Sequence, residues 1–399
     1  MEYAKYEELF ENKYVNEAIG REKFYEFTYP IISKKNRNIK SSMIKNTLNV
    51  GNRFIFKNNV LHKNLLIMDF KFIKIIREQS EKFNFYVIDN SINDFRKFRK
   101  EKNINIYFSN KWESMLDKSF FSKNMIYANE AISQIRDYMT KKKIQMLMLG
   151  NDKIFIEKAL VIAAKSLGIP VVILQHGAYN LDSFEKLKTA NAADYFWTWS
   201  QHIADMYCDF YKKEKETTRV MGYPFELPQN VKSNKTKILF LGNQYANFNE
   251  EEGNGYKEIA KKVHQICVEL NLTFVYRPHP AELIDETYEE FYQPQNESKT
   301  LMEDLSDSFI VVGDISSAMI EAGLIGKMVI QVIWSERSKV ALKDHMYDFT
   351  YKVDDDINQI KQQIQEMIGK REICEINSYY LFNNKKFKND IQKFILEQI

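Results

Sequence analysis

An α/β protein of two doubly wound, Rossmann-like domains is expected from three features of the chain. Short apolar runs of strand length alternate with helical stretches, the pattern of parallel sheets covered by helices. This alternation occurs twice, on either side of a polar stretch, ELPQNVKSNKTK at 226–237, that has no periodicity. And 399 residues exceed what one core holds, since single cores stop growing near roughly 250–300 residues.

In order, the first half offers the strand-like runs LLIMDF (65–70), FNFYVID (83–89), INIYF (104–108), IQMLMLG (144–150) and VVILQ (171–175). The segment 144–175 is the best-defined βαβ unit. A helix from about Lys153 to Ser166 places Ile154, Ile156, Ala159, Leu160 and Ala163 on one face, and Gly168 and Pro170 stop it. The second half repeats the pattern with KILFLG (237–242), a helix around 255–270, LTFVYR (272–277) and SFIVVG (308–313). A helix around 316–325, MVIQVIW (328–334) and FTYKV (349–353) follow. The division expected is an N-terminal domain, 1–228, a second domain, 229–375, and a C-terminal helix, 376–399, that crosses back to the first domain.

Composition narrows the class. Hydrophobic residues at 44% and charged residues at 28% are ordinary for a soluble globular protein. Cys208, Cys267 and Cys374 are odd in number and widely spaced, against a disulfide framework or a zinc site and for a reducing, cytoplasmic compartment. No signal peptide opens the chain, and no apolar run approaches the roughly 18 residues of a membrane span. A net charge of +3 is too small to imply nucleic acid as partner. The charge is uneven, however. From Thr28 to Met68 there is no acid, while Lys34, Lys35, Arg37, Lys40, Lys45, Arg53, Lys57 and Lys63 are all basic. That stretch is either a solvated surface or a patch for anionic lipid head groups or a polyanionic acceptor.

Parallel sheets bind ligands beyond the carboxyl ends of their strands, so residues just after predicted strands are the candidates. After VVILQ come His176 and Gly177, preceded by Gln175; the imidazole can take a proton from an acceptor hydroxyl, or simply bond a loop carbonyl. After LTFVY come Arg277 and His279, between Pro278 and Pro280, which stiffen the turn; Arg and imidazole donors suit phosphate oxygens. After SFIVVG comes Asp314, and then Ser316 and Ser317 open a helix whose free backbone N–H groups suit an anion. Glu321, one turn on, can accept from ribose hydroxyls, and Gly242 follows the first strand of the second half.

The order HG, RPHP and D-x-SS-x-x-x-E-A-x-x-x-GK resembles the bacterial surface-polymer transferases that include CDP-glycerol glycerophosphotransferases and capsule polysialyltransferases. TWSQ (198–201) and VMGYPFE (220–226) are similar to the segment that closes the N-terminal domain in such enzymes. The resemblance covers roughly 145–335. It implies a GT-B fold with the two domains facing a cleft, an N-terminal acceptor domain and a C-terminal domain for a nucleotide-activated donor, CMP- or CDP-linked. It also implies His176 as catalytic base, His279, Ser316 and Ser317 with Arg277 on donor phosphate, and Glu321, Gly242 and Pro280 toward nucleotide and ribose. Gln175 and Gly177 would lie on the acceptor side. The reaction implied is metal-independent, inverting transfer to capsule, lipopolysaccharide or another surface glycan, with no cofactor, at the inner face of the plasma membrane. Alternatives in the same fold are a nucleotide-sugar epimerase or hydrolase, or a non-catalytic subunit of an assembly complex.

Other constellations point away from chemistry. Asp354, Asp355 and Asp356 precede a helix near 357–369 and are expected to cap it and complement its dipole, not to bind a metal. Should His176 not be the base, Asp182, Glu185 and Asp194 are the weaker candidates. GxGxxG, Walker A, GxSxG and HExxH motifs are absent from the sequence.

Overall fold

The computed structural model describes residues 61–68, 72–89, 95–96, 101, 103–122, 124, 126–150, 155–177, 193–224, 234, 236–243, 245, 250–280, 282, 284–292, 299–341, 348–369 and 384–399. The basic stretch 28–68 lies outside these apart from 61–68, as do Asp182, Glu185 and Cys374. The chain divides into two compact units. One comprises Met1–His176, Lys186–Phe225 and Phe382–Ile399, the other Gly177–Glu185 and Glu226–Leu381.

The first unit is a seven-stranded parallel sheet of β1 (Lys63–Met68), β2 (Phe83–Ile88), β3 (Ile104–Tyr107), β4 (Ile144–Leu149), β5 (Val171–Leu174), β6 (Tyr195–Thr198) and β7 (Thr218–Val220). Its order is β3-β2-β1-β4-β5-β6-β7, so the chain winds outward through β3 and then restarts beside β1 with β4. Such a reversal leaves a crevice at the carboxyl ends of β1 and β4. Helices α1 (Ile73–Gln79), α2 (Asn110–Ser122), α3 (Ile126–Lys141), α4 (Phe155–Ser166) and α5 (Gln201–Tyr211) belong to this unit. Central strands such as β4 and β5 are nearly continuous apolar runs because helices cover both faces. Ser200 caps α5 by accepting from the Ile203 N–H at 3.3 Å. β6 and β7 are only four and three residues long, too short for the period-2 pattern to show in sequence.

The C-terminal helix, Asn384–Gln398, packs within this first unit. Ile391, Phe394 and Ile395 join the core, and the Phe394 ring stands edge-on to Tyr195 at 4.8 Å and to Trp197 at 5.2 Å. The guanidinium of Arg219 covers Phe394 at 5.4 Å. Burying one such aromatic side chain contributes about 1.5–3 kcal/mol, which holds the helix to the sheet.

The second unit is a five-stranded parallel sheet of β8 (Lys237–Leu241), β9 (Thr273–Arg277), β10 (Ile310–Gly313), β11 (Met328–Ile333) and β12 (Tyr351–Asp354), in the order β12-β11-β10-β8-β9. The reversal here falls between β8 and β10, so the crevice opens beyond Leu241 and Gly313. Its helices are α6 (Glu250–Glu269), α7 (Leu301–Asp307), α8 (Ser317–Leu324), α9 (Glu336–Ala341) and α10 (Ile357–Gly369). The acids Glu250, Glu251 and Glu252 fill the first turn of α6, where they complement its dipole. Asp356 caps α10, accepting from the N–H groups of Asn358 and Gln359, each at 3.0 Å. Cys208 and Cys267 are buried free thiols, and burial pushes the Cys267 thiol up to about 12. Among the described residues no helix is long and apolar enough to cross a membrane.

Candidate functional site

In the first unit the candidate base follows β5. β5 and β4 pair in parallel with Leu149 opposite Ile173, which brings the residues after both strands together. His176 Nδ1 bonds the carbonyl oxygen of Gly150, the residue that leaves β4 at the crevice. A carbonyl only accepts, so Nδ1 carries the ring proton and the basic lone pair of the neutral imidazole lies on Nε2. At Gly150 the backbone runs close to the Phe72 ring. A Cβ there would lie 3.1 Å from the Phe72 ring and 3.5 Å from His176 Cβ.

Gln175 has a different place from the one expected. It is fully buried. Its side-chain oxygen accepts from the Trp199 backbone N–H at 2.6 Å, and its carbonyl accepts from the Trp199 indole N–H at 2.9 Å. In place of an acceptor contact, then, the residue is a strut tying β5 to the start of α5. Gly177 is half-buried, and a Cβ there would meet no described atom within 4 Å. The fallback base Asp194 sits at the opposite, amino edge, where it accepts from the Val171 N–H at 2.8 Å and pairs with Lys165. It is therefore corrected to a structural ion pair, remote from the carboxyl edge of its own sheet.

In the second unit, three strand ends converge. Arg277 ends β9, but its Nη1 donates to Asp304 Oδ2 at 2.9 Å and to the Lys299 carbonyl. Asp304 is fully buried, with the Lys237 ammonium 4.0 Å from its other oxygen. A buried carboxylate needs such a partner, because removing one member of a buried pair is strongly destabilising. Nη1 thus braces β9 against α7, and any phosphate contact would come from the other guanidinium N–H groups.

His279 sits in the turn beyond, half-buried, and desolvation holds its imidazole below the usual value of 6.5. Pro280 is exposed. The turn is closed from both sides by Glu282, whose backbone N–H donates to the His279 carbonyl at 2.8 Å while its Oε2 accepts from the His279 N–H at 2.9 Å. Gly242 lies against this turn: its N–H donates to the Arg277 carbonyl at 2.7 Å, and a Cβ on it would collide with Glu282 Oε2. The glycine after β8 thus serves close packing of the two strand ends, and any nucleotide contact would come through its backbone.

After β10, Asp314 is buried and its Oδ2 accepts from the Tyr245 hydroxyl at 2.7 Å and from the Trp334 indole at 2.8 Å. Its backbone carbonyl accepts from Gln331 Nε2 at 3.0 Å. One carboxylate therefore ties together the loops after β8, β10 and β11. Ser316 is the N-cap of α8, its Oγ accepting from the Ala318 N–H at 3.2 Å, and Ser317 and Glu321 are half-buried on the helix. The start of α8 lies at the switch point of its sheet, where the Met319 N–H also bonds the Ser316 carbonyl at 3.2 Å, so of the first three N–H groups only that of Ser317 is left toward an anion. Lys327, in contrast, lies at the amino edge of β11. It donates to the Ser306 carbonyl at 2.6 Å, and burial lowers its ammonium to about 8.

Glu282 and Tyr245 carry no sequence signal of their own. Glu282 is one acid in a polar run, and only the pairing of β8 with β9 reveals its partners. The 14% share of aromatic residues in the chain is the single hint of the cluster in which Tyr245, Tyr256 and Trp334 meet with ring centroids 5.3–5.7 Å apart.

The architecture has close counterparts among solved structures. A UDP-GlcNAc 2-epimerase from Neisseria meningitidis bound to UDP-GlcNAc matches with a TM-score of 0.56 at 14% identity, over 84% of this chain and 100% of that one. The fold is GT-B. The UDP-GlcNAc 2-epimerase from Methanocaldococcus jannaschii in complex with UDP-GlcNAc and UDP gives 0.55 at 14% identity, over 84% and 99% of the two chains. The enzyme of Rickettsia bellii gives 0.56 at 12% identity, over 84% and 96%. No family model and no curated protein sequence matches the chain. At these identities the likeness establishes the GT-B fold, and the chemistry must be argued from the residues.

Proposed function

We propose that this protein is a metal-independent, inverting transferase that moves a sugar or polyol phosphate from a CMP- or CDP-linked donor to a hydroxyl of a bacterial surface glycan. The observation that carries the reading is the tautomer of His176. With Nδ1 fixed on the Gly150 carbonyl, Nε2 is the atom that takes the acceptor hydroxyl proton as that oxygen attacks. The bond to the leaving nucleotide phosphate breaks as the new bond forms, and the developing charge is met by the Ser317 N–H at the start of α8, the Ser316 and Ser317 hydroxyls and His279. Glu321 accepts from ribose hydroxyls. Arg277 braces its strand through Nη1 and turns its remaining guanidinium N–H groups to phosphate. The protein would work at the cytoplasmic face of the membrane, with the basic 28–68 stretch against anionic lipid.

Two measurements test this. Thermal shift against CMP-, CDP-, UDP- and GDP-linked donors selects the nucleotide, because a ligand at 100 times its dissociation constant adds about 2.7 kcal/mol. Product analysis with and without an oligosaccharide acceptor then reads the reaction. A transferase consumes donor only when acceptor is present; full consumption without it makes the protein an epimerase or hydrolase, and absence of any turnover with bound donor makes it a non-catalytic subunit.

A further inference from the structure

The turn that carries His279 is braced by one carboxylate. Glu282 Oε1 accepts from the Tyr288 hydroxyl at 2.9 Å and from the Tyr276 hydroxyl, and Oε2 accepts from the His279 backbone N–H at 2.9 Å. Three pieces of chain are thereby joined: the end of β9 through Tyr276, the turn itself and the 3-10 turn Glu286–Tyr288, while Gly242 after β8 leaves the carboxylate room by its missing Cβ. The 3-10 turn is itself pinned from α6. Lys257 donates to Thr287 Oγ1 at 2.9 Å, lies 3.6 Å from Asp285 and stands over the Tyr288 ring at 4.6 Å.

A carboxylate offers lone pairs only, and here three donors converge on it from fixed directions. An amide of the same size keeps the bond from the His279 N–H only by turning its NH2 to the two phenols, whose hydroxyls must then accept, and it loses the charge. Hydrogen bonds to an ionised acceptor are also the stronger kind. Desolvation nevertheless raises the Glu282 carboxyl, opposed by the three donors. A charge kept half-buried at this cost for a plain surface turn would be poor design, since two prolines already restrict the backbone.

We propose that Glu282 is a positioning residue that holds the His279 imidazole in place for donor phosphate, with Tyr276 and Tyr288 orienting its carboxylate. This rests on the reading of His279 as a phosphate contact. The test is built so that the bracing and that reading fail separately. His279 is followed by imidazole NMR across pH 5–8 in the nucleotide-free protein, and CDP affinity by calorimetry, in the parent, Glu282→Gln, His279→Ala and the double variant. The expected result is that Glu282→Gln displaces the His279 ring resonances from their parental positions and weakens CDP on the order of tenfold, the size of one lost charge-assisted hydrogen bond. The double variant then binds CDP no worse than His279→Ala, because Glu282 acts through that ring.

Parental His279 ring resonances in Glu282→Gln overturn the proposal, whatever happens to affinity. So do additive losses in the double variant. If the His279 resonances move while the parent binds no CDP, the bracing stands and the transferase reading falls. Should Glu282→Gln not fold, Tyr288→Phe removes one donor and keeps the charge; it must shift the same His279 resonance in the same direction, and an unmoved resonance sinks the idea.

Discussion

The two candidate histidines occupy matching places, each just beyond the carboxyl end of a parallel strand, yet they are held in opposite ways. His176 is fixed through its ring, by the bond from Nδ1 to the Gly150 carbonyl. His279 is fixed through its backbone, between two prolines and the Glu282 carboxylate, and its ring feels mainly burial. A ring fixed at one nitrogen has a defined tautomer, which a proton acceptor requires. A ring carried on a stiff turn has a defined position, which serves a group that meets an anion. The same residue type at the same point of two sheets is thus restrained through different atoms, which is what the two proposed tasks would require.

That contrast predicts its largest effect at His176. Replacing it by Ala should lower the transfer rate by about 100- to 10,000-fold, the range for loss of a general base, and leave CDP affinity unchanged. If affinity falls instead, His176 is itself a phosphate ligand and the contrast collapses. Gly242→Ala probes the other side without touching a functional group. Its Cβ collides with Glu282 and lies 2.9 Å from the Arg277 carbonyl, so urea unfolding should show about 1–3 kcal/mol of destabilisation together with weaker CDP binding. A parental midpoint would mean that β8 and β9 ends adjust freely.

A smaller change is expected from Ser316→Ala with Ser317→Ala. Loss of the α8 cap costs about 1 kcal/mol, so the double variant stays folded at 25 °C while calorimetry shows reduced nucleotide affinity. Unaltered affinity would leave α8 with capping alone. The smallest effect is a pH slope. The folded His279 value lies below the unfolded 6.5, so the native state binds fewer protons and its contribution to stability is present above 6.5 and lost as pH falls through the folded value. His279→Ala should flatten melting temperature against pH in that window, and a slope equal to the parent's would move the titration to another group.

Much of the second unit is legible from the chain. KILFLG, LTFVYR and MVIQVIW become β8, β9 and β11 within a residue or two, since fully buried parallel strands are written as unbroken apolar runs. Asp356 reads as a cap because its partners, Asn358 and Gln359, are its neighbours. The first unit is less legible at β6 and β7, where a few residues of strand are stabilised by partners far along the chain and carry no period of their own.

What the sequence determined by itself was therefore the α/β alternation, the residues delivered to the strand ends, and the helix starts, all of which depend on neighbours a few positions apart. Only the tertiary structure decided what those residues do. Arg277 faces Asp304, 27 positions away, and gives its Nη1 to a brace. Gln175 is consumed by Trp199, and Asp314 by Tyr245, 69 positions away. A donor or acceptor has few bonds to give, and strand pairing chooses which distant group is close enough to take them. Local pattern can place a polar side chain at a strand end, but whether it remains available to a ligand is settled by which other strand ends arrive beside it.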